Sequence, residues 1–492
     1  MRILMCCADP GVPLLGNQGS SVHLRSLAEA LAALGHEVRL VVSNAQGPET
    51  LALPVVSVPA GRLWPGLHGW LERLRGRAGR HDGPVSVKGR AGDHDDPEAP
   101  ASATPPERPQ LADVPEQMVS QPGSASRKPP ERPQPADQPK SVSWKLRVYY
   151  QRLPSFVNAC EEFFVHPFLF GRAVAREIRT FKPHAIYERY SLGQFGAALV
   201  AGSVPHLLEL NASLARERGG ARGSLPRWGA WWGRFVEKRL WRAPSRVFCV
   251  SERLGALARE SGVSPEAICV TPNGVDVRAF SPELPKGTLR RLLHTGEDEL
   301  LVGWLGALSN GRGAEEFVRI MALALPEIPR ARAVVLGGGP LCGELQNLAA
   351  SLNIADRITF LGPVDHGLAA HLLVDLAVAV ACYPRQSSSE AFYFSPMKLA
   401  EYLACGLAVV AGRAGEMARI VEDGVNGLLV EPGDLAGFAR AVCDLCAKKD
   451  RREALGLAAR ESALAGPTWE KTAQKVERQI GQVIGESKRA KS

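Results

Sequence analysis

The chain has 492 residues, more than one hydrophobic core usually holds, so we expect two domains. Apolar residues make up 45% and charged residues 22%, a balance typical of soluble globular proteins. The net charge is +8, but no nucleic-acid motif accompanies it, no apolar run is long enough to span a bilayer, and the opening residues do not resemble a secretory signal.

The first predicted elements form a strand–helix–strand unit. Residues 2–8 predict a buried strand. Ser20 or Ser21 is expected to cap the helix that follows, and Gly35 to end it, before a second strand at 38–42. Two strands joined through a helix indicate a parallel sheet.

Residues 75–142 differ from the rest of the chain. They are rich in Pro, Gly, Ser and charged residues, and the phrase Pro-Pro-Glu-Arg-Pro-Gln occurs twice. Such a composition buries too little apolar surface to offset the entropy of ordering. We expect a disordered insertion in the N-terminal domain rather than a Pro-rich docking site.

The remaining strands alternate with helices in two series, which predicts two parallel α/β sheets. The expected strands are 184–187, 206–210, 247–251 and 268–271 in the first series, and 301–305, 333–336, 358–361, 376–381 and 408–410 in the second. The predicted fold class is two Rossmann-like domains that face each other across a cleft. The expected domains are 1–285, 298–465 and a C-terminal helical segment at 466–492.

A cap-like sequence stands before the helix that starts near residue 396. Ser395 is a good N-cap and Pro396 a preferred first helical residue. The free N–H groups of such a helix suit a diphosphate, and Glu401, deeper in the helix, can accept two ribose hydroxyls. An ordinary amphipathic helix is the alternative.

A Gly-rich loop at 303–313 follows another expected strand and contains Arg312, whose guanidinium suits phosphate. A surface arginine in a glycine turn is the alternative. The glycines at 337–339 and the loop Gly16-Asn17-Gln18-Gly19 are weaker signals. The loop after the first strand lacks the GxGxxG spacing, and the second strand ends in Ser43-Asn44 without an Asp or Glu for a dinucleotide ribose, which argues against an NAD enzyme.

The ten cysteines are scattered through apolar segments, which suits a reducing cytoplasm. Cys443 and Cys446 form one CxxC pair without a second pair or a neighbouring His. We therefore expect two helix cysteines rather than a metal or redox site.

Taken in order, several segments resemble the retaining glycosyltransferases of family 4, which have the GT-B fold and include bacterial mannosyl- and glucosyltransferases. The resemblance covers nearly all of the chain except the insertion. The matching segments are Gly19-Ser20-Ser21-Val22-His23, Leu208-Glu209-Leu210-Asn211-Ala212, Pro272-Asn273-Gly274-Val275-Asp276, Ser395-Pro396-Met397-Lys398-Leu399-Ala400-Glu401-Tyr402 and 424–434.

The resemblance implies sugar transfer from a nucleotide-diphosphate sugar to a glycan or lipid-linked acceptor, with retention of configuration and without a metal or further cofactor. Glu401 would hold the donor ribose and Arg312 would face the diphosphate, and these two are the candidate catalytic residues. The final helices would cross back to the N-terminal domain. The implied donor-binding positions are Gly19, Gly306, Arg312, Tyr393, Ser395, Met397, Lys398 and Glu401; at 397 and 398 the backbone would meet phosphate.

Three positions depart from the family pattern. Tyr393 replaces a sugar-binding Glu, for which Glu390 is a nearby substitute, Ala307 replaces an Arg, and Asn211 replaces a His. These departures support an alternative, a non-catalytic relative that binds nucleotide sugar or a partner chain. A third possibility, an epimerase of the same fold, lacks the paired carboxylates we would expect.

The segment 216–246 is both aromatic and basic, with its aromatic residues on one predicted helical face. Such a face suits peripheral contact with an anionic membrane. A core-facing helix with solvated arginines is the alternative. The residues concerned are Trp228, Trp231, Trp232, Phe235, Arg234, Lys238, Arg239 and Arg242.

Overall fold

A computed structural model describes residues 1–47, 51–58, 165–219, 227–384, 392–393 and 395–489. The expected insertion at 75–142 and Glu390 lie outside the described residues.

The first sheet has seven strands, and all of its pairings are parallel, in the order β3-β2-β1-β4-β5-β6-β7. Its strands are β1 (Arg2–Cys7), β2 (Glu37–Val42), β3 (Val55–Ser57), β4 (Ala185–Arg189), β5 (His206–Leu210), β6 (Arg246–Cys249) and β7 (Ile268–Val270). The apolar runs of the sequence predicted these strands except β3, none of whose residues is fully buried.

Helices connect these strands on both faces of the sheet. They are α1 (Gly19–Ala33), α2 (His166–Phe181), α3 (Gly196–Val200), α4 (Leu214–Gly219), α5 (Arg227–Arg242) and α6 (Glu252–Glu260), followed by a 3-10 turn at Pro265–Ala267. The expected cap at Ser20 or Ser21 is wrong, because α1 begins at Gly19 and Gln18 takes the N-cap position. Gly35 ends the helix with a left-handed φ of +84°, as its sequence position predicts.

The second sheet has six parallel strands in the order β10-β9-β8-β11-β12-β13. They are β8 (Leu300–Leu305), β9 (Ala331–Leu336), β10 (Ile358–Phe360), β11 (Val378–Ala381), β12 (Ala408–Gly412) and β13 (Leu428–Val430). The short β13 was not predicted. The two sheets confirm the predicted class of two Rossmann-like α/β domains.

The helices that accompany the second sheet complete the chain. They are α7 (Thr288–Leu293), α8 (Ala314–Ala324), α9 (Cys342–Ser351), α10 (His366–Leu373), α11 (Met397–Ala404), α12 (Met417–Ile420), α13 (Leu435–Ala447), α14 (Lys449–Ala465) and α15 (Trp469–Arg489), with a 3-10 turn at Leu325–Glu327. None of the described helices is long and apolar enough to cross a membrane.

The last helix belongs to the core of the first sheet. Trp469, Ala473, Val476 and Ile480 on α15 are buried in the same apolar cluster as residues of β1, β2 and α1. The chain therefore returns from the second sheet to the first, and α15 packs into the core of the first domain.

Candidate functional site

The carboxyl edge of the second sheet has a reversal of strand order between β8 and β11. These strands are neighbours, but the chain continues from β8 to β9 on one side and from β11 to β12 on the other. Parallel sheets bind ligands at such a reversal of strand order, outside the carboxyl ends of the strands. The loops that follow β8 and β11 carry most of the residues that the sequence marked for the donor.

Arg312 lies on the loop that joins β8 to α8. Gly306 and Gly313 give the loop its shape, with φ values of +152° and +92° in the region that favours glycine. A methyl group on Gly313 would lie 1.9 Å from the carbonyl oxygen of Cys382, so a side chain does not fit there. The loop thus packs against the end of β11, with the Arg312 side chain exposed.

Ser395 does not cap the following helix, and this part of the sequence prediction is wrong. Helix α11 begins at Met397, and Pro396, which has no side-chain acceptor, is its N-cap. The hydroxyl of Ser395 instead accepts a hydrogen bond of 3.1 Å from the backbone N–H of Asn273, and its carbonyl accepts one of 2.8 Å from Asn273 Nδ2. The first turn of α11 therefore has N–H groups without a side-chain cap, as an anion site requires.

Glu401 lies on α11 and is 6% exposed. Its Oε1 lies 2.9 Å from Nε2 of His366, the first residue of α10. A carboxylate can accept about four hydrogen bonds, so this contact orients the group and leaves capacity for ribose hydroxyls. Sequence reasoning missed His366, because its position says nothing about a partner 35 residues away.

The side chain of Lys398 packs against the aromatic rings that flank β8 and β11. Its Nζ lies 3.8 Å from the centroid of the Trp304 ring and 5.3 Å from that of Tyr383. Burial lowers its pKa to about 7; Arg312 acts in the same direction, while Cys382 and Glu401 oppose it. The sequence reasoning used only the backbone of this residue.

Tyr393 is held by the first domain. Its hydroxyl donates a hydrogen bond of 2.8 Å to Glu217 Oε1 on α4, and its carbonyl accepts one from the Ser251 hydroxyl. Burial raises the pKa of Tyr393 far above its usual value, and the Glu217 carboxylate adds to the shift. The residue therefore presents a neutral phenol at the position where the family pattern has a carboxylate.

The N-terminus of α1 meets α11 across the cleft. A methyl group on Gly19 would lie 3.5 Å from the Met397 sulfur. Asn17 also donates a 2.5 Å hydrogen bond to Asp365, which precedes α10. Gly19 and Met397, both predicted to bind donor, are thus close together.

A chain of hydrogen bonds links the first domain to Ser395, two residues before α11. His23 Nε2 lies 2.8 Å from Glu209 Oε2, and His23 Nδ1 lies 2.7 Å from Asn273 Oδ1, next to Ser395. Burial alone would raise the pKa of Glu209, but His23, Arg189 and a bond from Tyr187 outweigh it and hold the pKa at about 2.

The position that replaces the family's histidine belongs to the same group. Asn211 donates its amide to Glu209 Oε1. The Asn211 side chain is therefore hydrogen-bonded to the buried Glu209 carboxylate.

A cavity of about 470 Å³ lies in the first domain between α4, α5 and α6. Glu237 on its wall is 5% exposed. Burial raises the pKa of this carboxyl to about 7, against the opposing hydrogen bonds from Tyr190 and Ser213. The lining residues include Ser213, Arg216, Arg234, Glu237, Lys238 and Trp241.

Two family models match the chain, one in each half. Residues 299–448 match the model described as glycosyl transferases group 1, and residues 125–279 match glycosyltransferase family 4. The two models match 150 and 155 residues respectively. Their combined matches cover more than half of the 492 residues.

Curated relatives match over part of their length. A D-inositol 3-phosphate glycosyltransferase of Stackebrandtia nassauensis is 36% identical over 42% of this chain and 47% of its own. A GDP-mannose-dependent alpha-(1-6)-phosphatidylinositol monomannoside mannosyltransferase of Mycolicibacterium smegmatis is 30% identical over 40% of this chain and 52% of its own. The chain spans about half the length of the curated relatives it matches.

Solved structures share the fold over nearly the whole chain. A sucrose-phosphate synthase of Thermosynechococcus elongatus aligns with a TM-score of 0.65 and 18% identity, over 99% of this chain and 100% of its own. The Anabaena protein HepE, solved with UDP, aligns with a TM-score of 0.59 and 15% identity, over 98% and 100%. At these identities the likeness concerns the fold.

Proposed function

Because the chain belongs to the group 1 glycosyltransferases of family 4, we propose that it transfers a sugar from a nucleotide-diphosphate sugar to an acceptor hydroxyl with retention of configuration. The observation that carries the proposal is the convergence of three donor-binding candidates at the carboxyl edge of the second sheet. Arg312, Lys398 and Glu401 come from two separate segments, and each matches the family pattern at its own position.

In the proposed reaction, Glu401 binds the ribose, while Arg312 and the first turn of α11 bind the diphosphate. As the bond between the sugar and the phosphate breaks, negative charge grows on the diphosphate. Fixed positive groups that face this charge lower the barrier most. The departing phosphate oxygen accepts the proton of the acceptor hydroxyl on the same face of the sugar, which accounts for retention without a protein base and without a metal or cofactor.

The proposed acceptor is a cell-envelope glycan or a lipid-linked molecule. Support comes from the name of one relative, a phosphatidylinositol monomannoside mannosyltransferase, whose acceptor is a lipid. The other relative's name gives a small soluble acceptor, D-inositol 3-phosphate, which is the alternative acceptor class. The test incubates the protein with labelled GDP-mannose or UDP-glucose and membrane extracts, and follows the anomeric proton of the product by NMR. An inverted product would disprove retention, and donor binding without transfer to any acceptor would favour the non-catalytic alternative that Ala307 and Tyr393 suggest.

We also propose that the protein works in the cytoplasm and contacts an anionic membrane through α5. The nine described cysteines are unpaired, in keeping with a reducing compartment. Trp231 is 68% exposed and Phe235 46%, and their rings stack with centroids 6.2 Å apart. The Arg239 guanidinium lies 5.6 Å from the Phe235 ring, so aromatic and cationic groups share one surface. Such a pairing suits the headgroup region of an anionic bilayer.

Vesicle flotation tests this contact. Trp232 is partly buried against the first-domain core, so the informative variant is Trp231→Ala/Phe235→Ala. We expect it to lose retention on vesicles containing phosphatidylglycerol while its melting temperature stays unchanged. Leu457→Ala, at a residue that is 70% exposed, is the matched control. Equal retention of parent and variant, or equal retention on neutral vesicles, would refute the membrane contact.

A further inference from the structure

Lys398 has a buried amine without a hydrogen-bond partner. Its Nζ is shut off from solvent and makes no hydrogen bond to any described residue. The flanking groups are the faces of Trp304 and Tyr383, which attract a cation but cannot accept a full hydrogen bond. An ammonium in such a place is costly unless an anion joins it, so the position suits a negatively charged ligand.

The amine lies at the point where the second sheet binds ligands. Trp304 is on β8, Gly306 directly follows that strand, and Tyr383 follows β11 by two residues. A methyl group placed on Gly306 would lie 3.0 Å from Lys398 Nζ, so the ammonium lies against the glycine backbone. This is the carboxyl edge between β8 and β11, where the order of strands reverses.

The loop after β8 has only one basic side chain for a ligand with several charges. Between Gly306 and Gly313 that side chain is Arg312, and position 307 is Ala. A diphosphate carries more than one negative charge and gains another as the sugar leaves. A second cation is therefore needed at this edge, and Lys398 comes from a different segment of the chain, on α11.

We propose that the side chain of Lys398 binds the donor diphosphate and takes the place of a second loop cation at position 307. The proposal rests on the proposed function. When the C1–oxygen bond breaks, its electron pair stays on the phosphate oxygen. The acceptor oxygen bonds to C1, and its proton passes to that phosphate oxygen. Lys398 stays protonated throughout and donates a hydrogen bond to the diphosphate.

Proton uptake gives a signature that a purely structural lysine lacks. Burial and Arg312 lower the pKa of Lys398 to about 7 in the unliganded protein, against Cys382 and Glu401. A diphosphate beside the amine favours its charged form and raises this pKa. Binding at pH 8 should therefore take up close to one proton, whereas at pH 6 the amine is already charged and contributes almost no uptake.

Titration calorimetry with UDP and with GDP, at pH 8 in Tris and in HEPES, measures this uptake from the buffer dependence of the enthalpy. Lys398→Met should bind about 10- to 150-fold more weakly and take up no proton, because a charge-assisted bond is lost. Lys398→Arg should recover much of the affinity, also without proton uptake, since guanidinium stays charged. Lys475→Met is the control, because that ammonium donates to the Val270 carbonyl, on the first sheet.

Two outcomes separate this proposal from the proposed function. If Arg312→Ala loses nucleotide while Lys398→Met binds like the parent, the donor site stands and the role of Lys398 is wrong. If the parent protein binds neither nucleotide, both proposals fail. Should Lys398→Met not fold, proton uptake that persists in Lys398→Arg would still overturn the assignment.

Discussion

His366 Nε2 lies 2.9 Å from Glu401 Oε1, which joins the start of α10 to the middle of α11. The histidine side chain is about a quarter exposed, whereas the carboxylate is almost fully buried. The contact fixes the rotamer of Glu401 from the side of α10. Glu401 is therefore oriented before any ribose reaches it, which reduces the entropy that binding must offset.

Glu401→Gln should weaken nucleoside diphosphate and nucleotide sugar by the same factor, roughly 10- to 150-fold, because both carry the ribose and both lose charge-assisted bonds. Calorimetry with UDP, GDP and their 2′,3′-dideoxy analogues measures this. The dideoxy analogues should bind parent and variant alike. If the affinity ratio of ribonucleotide to dideoxy analogue is the same in Glu401→Gln as in the parent, the ribose binds elsewhere.

Arg312→Ala should weaken nucleoside diphosphates roughly 10- to 150-fold and the monophosphates less, since the guanidinium is expected to face the diphosphate. The loss should be smaller in high salt, because screening weakens the parent's contact. Arg319→Ala is the matched control: this arginine is on the exposed side of α8, paired with Glu315 at 2.9 Å. Equal weakening of mono- and diphosphate would contradict the assignment.

Tyr393→Phe should leave the affinity for free nucleoside diphosphate unchanged and lower kcat several-fold, up to about tenfold. The Tyr393 hydroxyl donates the hydrogen bond to Glu217 that holds this residue against the first domain. A hydrogen bond to a charged group contributes about 1.5–3 kcal/mol. Glu217→Gln, which weakens the same bond, should show a smaller loss in the same direction. Unchanged kcat in both variants would mean that the contact has no part in turnover.

Glu237→Gln should stabilise the protein at alkaline pH. The folded state raises the pKa of Glu237 from 4.5 to about 7, so its contribution to stability is full below pH 4.5 and is lost as the pH rises through 7. The glutamine variant avoids this loss. Its free energy of unfolding relative to the parent should therefore be higher at pH 8 than at pH 5 by on the order of 1–3 kcal/mol. Urea unfolding at both pH values measures the gain. An equal difference between Glu237→Gln and the parent at both pH values would refute the cause.

The sequence predicted the strands of both sheets well where they are buried apolar runs, such as β8 and β12, because burial on both faces requires such runs. It missed β3 and β13, whereas β7 and β10, which are equally short, were predicted. The cap at Ser395 was predicted from local propensity, and the tertiary bond to Asn273 displaced it.

Among the donor-site residues, those marked by a motif in their own segment could be predicted, whereas contacts formed only in the folded protein could not. Arg312 and Glu401 could be chosen because their segments carry a pattern along the chain. The environment of Lys398 could not, since Trp304 is far away in sequence and only the folded sheet brings its ring to 3.8 Å from the amine.

The return of α15 to the first sheet has a consequence for how the protein is made. Trp469, Val476 and Ile480 fill the core beside β1 and α1, so this core stays incomplete while the ribosome synthesises all of the second sheet. A nascent chain halted before α15 exposes the apolar face that these residues cover, and such surfaces invite aggregation and chaperone binding. Folding of the first domain is thereby delayed until translation has passed the second, although its strands emerge first.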